Sequence, residues 1–194
     1  VSPSLVLAAA AATFLGAAAV AATAGPGGRS VASLLPRATP DLSRLDAAVL
    51  RAAAESKVDP DLLRGLVAAE SGGDPRARSG KGAVGLLQLT LPTAGEVARD
   101  LGLPPPDEAA LEDPETNLRL GARYLARLLD RFGDEAFAVA AYNAGPTPVR
   151  RWRERAADAS AADAIAREGF SETRSHVVKT LRFRDAYRAG RRGK

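Results

Sequence analysis

Residues 59–73 read DPDLLRGLVAAESGG, and the way this stretch opens, repeats and stops decides what fold to expect. Asp59 suits a helix N-cap and Pro60 the first helical position, where a missing N–H costs nothing. Leu62, Leu63, Leu66 and Val67 then recur at helical spacing and form one apolar stripe, which Ser71-Gly72-Gly73 terminates. Asp113-Pro114 repeats the device before the stripe of Leu118, Gly121, Leu125, Leu128 and Phe132, and Gly133 suits the stop. Upstream, Leu42, Leu45, Val49, Ala52 and Ala53 make a further stripe. Shorter helices are predicted over residues 135–142 and 148–155, and a last one starting at Ser171 and carrying Val177, Val178 and Leu181. No alternating β-branched run reaches strand length, so the fold class is mainly α, without an internal repeat.

The bulk properties narrow the function. A chain of 194 residues, 46% hydrophobic and 26% charged, supports one ordinary core and an appendage rather than two full-sized domains. With 27 Lys and Arg against 23 Asp and Glu, the net charge of +4 favours weak attraction to anionic polymers or surfaces. Nucleic acid is not expected among these, because aromatics are only 5% and most basic residues are dispersed among acids. The one basic cluster, Arg182, Arg184, Arg188, Arg191, Arg192 and Lys194, reads as a solvated helix end and tail. The lack of Cys and the single histidine, His176, exclude thiolate and multi-histidine metal sites, and no metal or other cofactor is expected.

From Leu5 to Ala24 the chain is uncharged and almost wholly apolar, about long enough to cross a bilayer. Ala22-Thr23-Ala24 before Gly25 fits a signal-peptide cleavage site, whereas the length of the run fits a retained anchor in the inner membrane. Residues 1–24 are therefore expected to be a signal peptide or membrane anchor. Residues 25–40 (GPGGRSVASLLPRATP) have the composition of a flexible linker, and residues 41–190 form the folded domain. Under either membrane reading that domain is exported, to the periplasm or cell envelope.

The residue that carries chemistry is Glu70, four residues after Leu66 and three after Val67. That phase puts a carboxyl group on the apolar stripe, in the last turn of its helix. Desolvation and the negative end of the helix dipole both disfavour the anion there, which suits a proton donor. The plainer reading of a glutamate at this place is a side chain fraying into solvent.

The flanking segments shift the balance. Glu70-Ser71, the run GAVGLLQL from Gly82 to Leu89, Thr93-Ala94, AYNAG from Ala141 to Gly145, and Glu172-Thr173-Arg174 resemble, in order and approximate spacing, the soluble lytic transglycosylases. The resemblance extends over roughly residues 45–188 and includes NLRLGARYLARLL from Asn117 to Leu129. It implies a lysozyme-like helical domain, similar to goose-type lysozyme, with a substrate groove. It also implies cleavage of the β-1,4 bond between N-acetylmuramic acid and N-acetylglucosamine in peptidoglycan. Glu70 would act as acid and then as base, and the sugar's own C6 hydroxyl would close onto C1 to give a 1,6-anhydro end. The partner would be a glycan strand of peptidoglycan, met by a monomer.

The same resemblance assigns Ser79, Gln88, Tyr142, Asn143 and Glu172 to substrate binding and places Ser71 behind the acid. Each has a plainer reading: Ser79 as a turn residue, Gln88 as a satisfied core amide, Tyr142 as a buried phenol bonded to backbone, and Glu172 as a helix cap. Asp74-Pro75 reads as turn chemistry rather than as a second catalytic carboxylate. Two departures from the family pattern stand out. A proline falls one place late at Pro92, and His176 occupies a position where tyrosine is common; the lone histidine reads as a core or groove-wall residue. Two rival functions remain: a water-using lysozyme or chitinase on the same scaffold, and a non-catalytic wall-binding scaffold.

Overall fold

A computed structural model describes residues 38–192, so the expectations for residues 1–37 lie outside the described residues. The helices follow the local signals in the chain. A short 3-10 turn, Ser43–Leu45, leads into α1 (Asp46–Ser56). Helix α2 spans Pro60–Glu70, and the Asp59 side chain accepts from the Asp61 N–H, as an N-cap should. Helix α5 (Pro114–Phe132) is opened by Asp113, which accepts from the Thr116 N–H, and is closed by Gly133 in the left-handed region. Helices α6 (Glu135–Ala144), α7 (Pro146–Ala156) and α9 (Ser171–Arg192) stand where their stripes predict them.

Three helices and a hairpin were not foreseen. Helix α3 (Leu91–Asp100) takes Pro92 into its first turn, so the displaced proline starts a helix. Helix α4 covers Glu108–Glu112, just after three prolines, and α8 covers Ala161–Glu168. Strands β1 (Ala83–Val84) and β2 (Leu89–Thr90) pair antiparallel, Ala83 opposite Thr90 and Val84 opposite Leu89, too short to leave a two-residue period in the sequence. Among the described residues no helix is long and apolar enough to cross a membrane.

The core forms around α2. Leu62, Leu63, Leu66 and Val67 are buried, together with Val49 of α1, Leu118 and Leu125 of α5, and Val139 of α6. Truncating one such leucine to alanine typically costs about 2–5 kcal/mol. Helix α9 lies antiparallel along α2, as its contacts show. Arg188 and Arg191 meet Asp59 and Asp61 at one end, and His176 meets Glu70 at the other. Between these ends the helices touch backbone to backbone at Gly65, where a Cβ would fall 2.6 Å from the Thr180 carbonyl oxygen and 2.8 Å from the Arg184 nitrogen. The Tyr187 hydroxyl donates to the Pro40 carbonyl at 2.6 Å, tying α9 to the start of the described chain.

This packing corrects the reading of the basic C-terminal cluster. Arg184 pairs with Glu135 and Asp185, Arg188 with Asp59, and Arg191 with Asp61, so these side chains clamp helices rather than trail in solvent. The cause is the antiparallel register. It lays the basic, negative-dipole end of α9 on the acidic, positive-dipole start of α2.

Candidate active site

Glu70 ends α2 with its side chain 14% exposed, so the carboxyl group sits at the edge of the core rather than in bulk solvent. Three side chains hold this helix end. The Lys179 ammonium donates to the Ala69 carbonyl at 2.7 Å. The Ser71 hydroxyl reaches the Leu86 carbonyl at 2.9 Å and accepts from the Gly73 N–H at 3.1 Å. His176 Nε2 lies 2.9 Å from Glu70 Oε1, and its side chain is 10% exposed. Among the described residues, Glu70 Oε2 has no partner.

Leu86 belongs to a turn at residues 85–88 that α5 holds from behind. Asn117 accepts the Leu87 N–H at 2.8 Å, and its amide donates to the Val84 and Leu111 carbonyls at 3.0 and 2.8 Å. Gly85 is required here, with φ of 82° and a Cβ position only 2.2 Å from Asn117 Nδ2. Asn117 received no role from the sequence. The available signal was a polar residue four places before Gly121, on the inward face of an apolar stripe.

Gln88 closes the turn in the left-handed region, at φ of 46°, and its amide donates to the Ala77 and Gly85 carbonyls, both at 3.0 Å. Its N–H groups are thus committed to the turn. The Tyr142 hydroxyl, from α6, donates to the Leu87 carbonyl at 2.9 Å. Burial, then the negative charge of Glu70, then Tyr124, push the Tyr142 phenol well above its usual range, so it is a neutral donor. Tyr142 neighbours Glu70 electrostatically, but its hydrogen bond goes to backbone. The side chain that meets the Glu70 carboxyl is His176, which the sequence reads as a core or groove-wall residue.

The other candidates lie around this centre. Asn143 Oδ1 accepts from Thr173 Oγ1 at 2.7 Å, which joins α6 to α9. Ser79 Oγ accepts the Lys81 and Ala83 N–H groups at 3.3 and 3.0 Å, in an exposed turn. Glu172 is exposed at the start of α9, and its carboxylate lies 3.8 Å from Lys81 Nζ. Asp74 accepts the Arg76 N–H at 2.9 Å, which is turn chemistry. Thr173, His176 and Lys179 stand three residues apart on α9, so one helix face supports Asn143, Glu70 and the Ala69 carbonyl in turn. A cleft of about 260 Å³ between α1 and α5 is lined by Arg51, Glu55, Glu115 and Arg119 and by none of these residues.

A largely buried carboxyl group at a helix end, in contact with an imidazole and tied to the turn at residues 85–88 through Ser71, marks the candidate site of this helical domain. The transglycosylase SLT domain family matches residues 47–165, and the chain belongs to that family. A soluble lytic murein transglycosylase of Escherichia coli is 39% identical over 121 residues, covering 61% of this chain and 19% of that protein. An endo-type membrane-bound lytic murein transglycosylase A of Klebsiella pneumoniae is 44% identical over 80 residues, 40% of this chain and 39% of that one. Among solved structures, an inactive mutant of the lytic transglycosylase Slt from Pseudomonas aeruginosa matches with a TM-score of 0.69 at 35% identity, over 77% of this chain and 24% of that one. The 70-kDa soluble lytic transglycosylase in complex with bulgecin A matches with a TM-score of 0.70 at 31% identity, over 74% of this chain and 24% of that one. The chain spans about a fifth of the length of the soluble relative, 19%.

Proposed function

We propose that this chain is a peptidoglycan lytic transglycosylase in which Glu70 is the acid and then the base. The observation that carries the reading is the state of Glu70: 14% exposed, with no guanidinium or ammonium on its oxygens among the described residues. An arginine partner would hold the group as an anion, whereas an imidazole N–H can donate to either protonation state.

The chemistry balances around this one group. Glu70 gives its proton to the glycosidic oxygen as the bond from C1 of N-acetylmuramic acid to O4 of N-acetylglucosamine breaks. The C6 hydroxyl of the same muramic acid closes onto C1 and returns its proton to the Glu70 carboxylate. No water is consumed, and the ends are a 1,6-anhydro sugar and a free O4 hydroxyl. A hydrolytic pair would need a second carboxylate to act as nucleophile or to activate water. An intramolecular hydroxyl, already at high effective concentration, does not.

Residues 41–190 would form the catalytic domain, acting in the periplasm or envelope, with an N-terminal segment that targets or anchors it. The glycan would lie in a groove over the turn at residues 85–88. There the Ser79 hydroxyl, the Gln88 amide oxygen, the Tyr142 phenol, the Asn143 amide and the Glu172 carboxylate would meet sugar hydroxyl and N-acetyl groups, with Ser71 fixing the acid's helix end. The test is mass spectrometry of purified sacculi digested by the wild-type chain and by Glu70→Gln. Anhydro ends from the wild type alone are expected. Exclusively reducing ends would make the protein a hydrolase, and equal release by both chains would dismiss Glu70.

A further inference from the structure

We propose that His176 is the positioning residue for Glu70: the neutral imidazole donates from Nε2–H to Glu70 Oε1 and leaves Oε2 to carry the proton delivered to the glycosidic oxygen. The assignment rests on the reading of Glu70 as the acid, and it adds which of the two oxygens acts and what selects it.

The tautomer follows from the other ring nitrogen. His176 Nδ1 is buried and has no hydrogen-bond partner among the described residues. A proton on Nδ1 would make it a buried donor without an acceptor, in either the other neutral tautomer or the imidazolium. A proton on Nε2 alone leaves only a lone pair unpaired and places the N–H on Glu70. With Oε1 accepting from Nε2–H, an acidic proton on the carboxyl group belongs on Oε2. The imidazole thereby separates a held oxygen from a working one.

The surroundings supply no competing partner. From α2 the group facing the ring is Glu70 itself. On α9, Thr173 is engaged with Asn143 and Lys179 with the Ala69 carbonyl, three residues before and after the histidine. From α6, Tyr142 is kept as a neutral phenol and is engaged with Leu87. From the loop, Lys81 is exposed and faces Glu172. Both halves of the contact sit on long helices packed against each other rather than on loops, which suits a fixed geometry.

Because His176 is the only histidine of the chain, its imidazole nitrogens can be read without assignment ambiguity. In a long-range proton–nitrogen spectrum of the ¹⁵N-labelled full chain, the Nε2-protonated tautomer is expected, and Glu70→Gln should displace its signals. An Nδ1-protonated tautomer, or signals indifferent to Glu70→Gln, would overturn the proposal. In kinetics, His176→Ala should lower kcat about 10- to 100-fold with KM within about 2-fold, the loss typical of a displaced reacting group. His176→Gln, whose side-chain N–H₂ lies near the place of Nε2, should recover most of it. Wild-type kcat in the alanine variant, or equal losses in both, would refute the role. If His176→Ala does not fold, the glutamine variant and the spectrum still decide. Failure of the wild type to make anhydro ends would remove the parent reading, while the spectrum would still judge the His176–Glu70 contact by itself.

Discussion

The α2–α9 pair has two ends built from acids on one helix and bases on the other, and they are built differently. At the start of α2, Asp61 is wholly buried, yet it touches Arg64 at 2.9 Å and also Arg191, while Arg64 reaches on to Asp46 at 2.8 Å. At the end of α2, Glu70 keeps 14% of its side chain exposed and touches an imidazole. Burial alone therefore does not decide which partner a carboxyl group keeps. The more deeply buried carboxylate is the one paired with two guanidiniums, which replace the water it lost. The less buried one keeps a partner that can serve a neutral carboxyl as well as a charged one.

Substitutions at each end should separate the two roles, and the largest effect belongs to the chemical end. Glu70→Gln is expected to reduce muropeptide release by about a thousandfold, within the span of general acid–base contributions. Its thermal midpoint should stay within about 2 °C of wild type, since a neutral amide can still meet the Nε2–H. Asp61→Ala is the mirror case. Removing the carboxylate strands the buried Arg64 with only Asp46, and stability should fall by about 3 kcal/mol in urea unfolding. The release rate per folded molecule should stay within about 2-fold of wild type. A large loss of rate in Asp61→Ala, with stability intact, would erase the distinction between the ends.

Gly65→Ala, midway along the pair, should affect both. The added methyl would fall 2.6–2.8 Å from backbone atoms of α9, which cannot swing aside as a side chain would, so the helices must part. Overpacking of this sort costs about 1–3 kcal/mol, offset in part by alanine's better helix propensity, about 1 kcal/mol. A net loss of up to about 2 kcal/mol is expected. Because the Glu70–His176 contact spans the same two helices, the release rate should drop as well, which Asp61→Ala should not cause. Urea unfolding and initial rates on one preparation would check both.

What the chain reveals by itself divides along similar lines. Helix ends are local chemistry, so Asp59-Pro60, Asp113-Pro114 and Gly133 were legible, and each caps a helix. Helix α3 was hidden because Pro92 and Gly95 interrupt its ten residues, and α4 because it spans only Glu108–Glu112 after three prolines. The position of Glu70 was legible from helical phase. The destination of the Gln88 amide was not, since it depends on a left-handed backbone at a residue that is not glycine. The partner of Glu70 was least legible of all. His176 lies 106 residues away and meets the acid only through the register of two packed helices. Nothing in the sequence around either residue encodes that register. The close approach at Gly65 and the salt bridges at the far end do, and these are tertiary facts.

The smallest expected effect tests the charged end by pH. Burial pushes the Asp59 carboxyl up, but the Asp61 N–H and the Arg188 guanidinium more than offset it, so the folded group titrates below its usual range. A carboxylate lowered in the folded state contributes stability above its ordinary range, around pH 4, and loses that contribution as the pH falls through the folded value. Arg188→Ala removes one of the lowering partners. Asp59 and Arg188 are each about a third exposed, at 33% and 35%, so screening should hold the loss at neutral pH below about 1 kcal/mol. The gap between wild type and variant should narrow as the pH is lowered past that range, when both chains protonate Asp59. Urea unfolding at neutral pH and at about pH 3 measures this closure. A gap that persists undiminished in acid would mean that Arg188 stabilises through packing of its stem on α2, and the far end would then be a clamp of contact more than of charge.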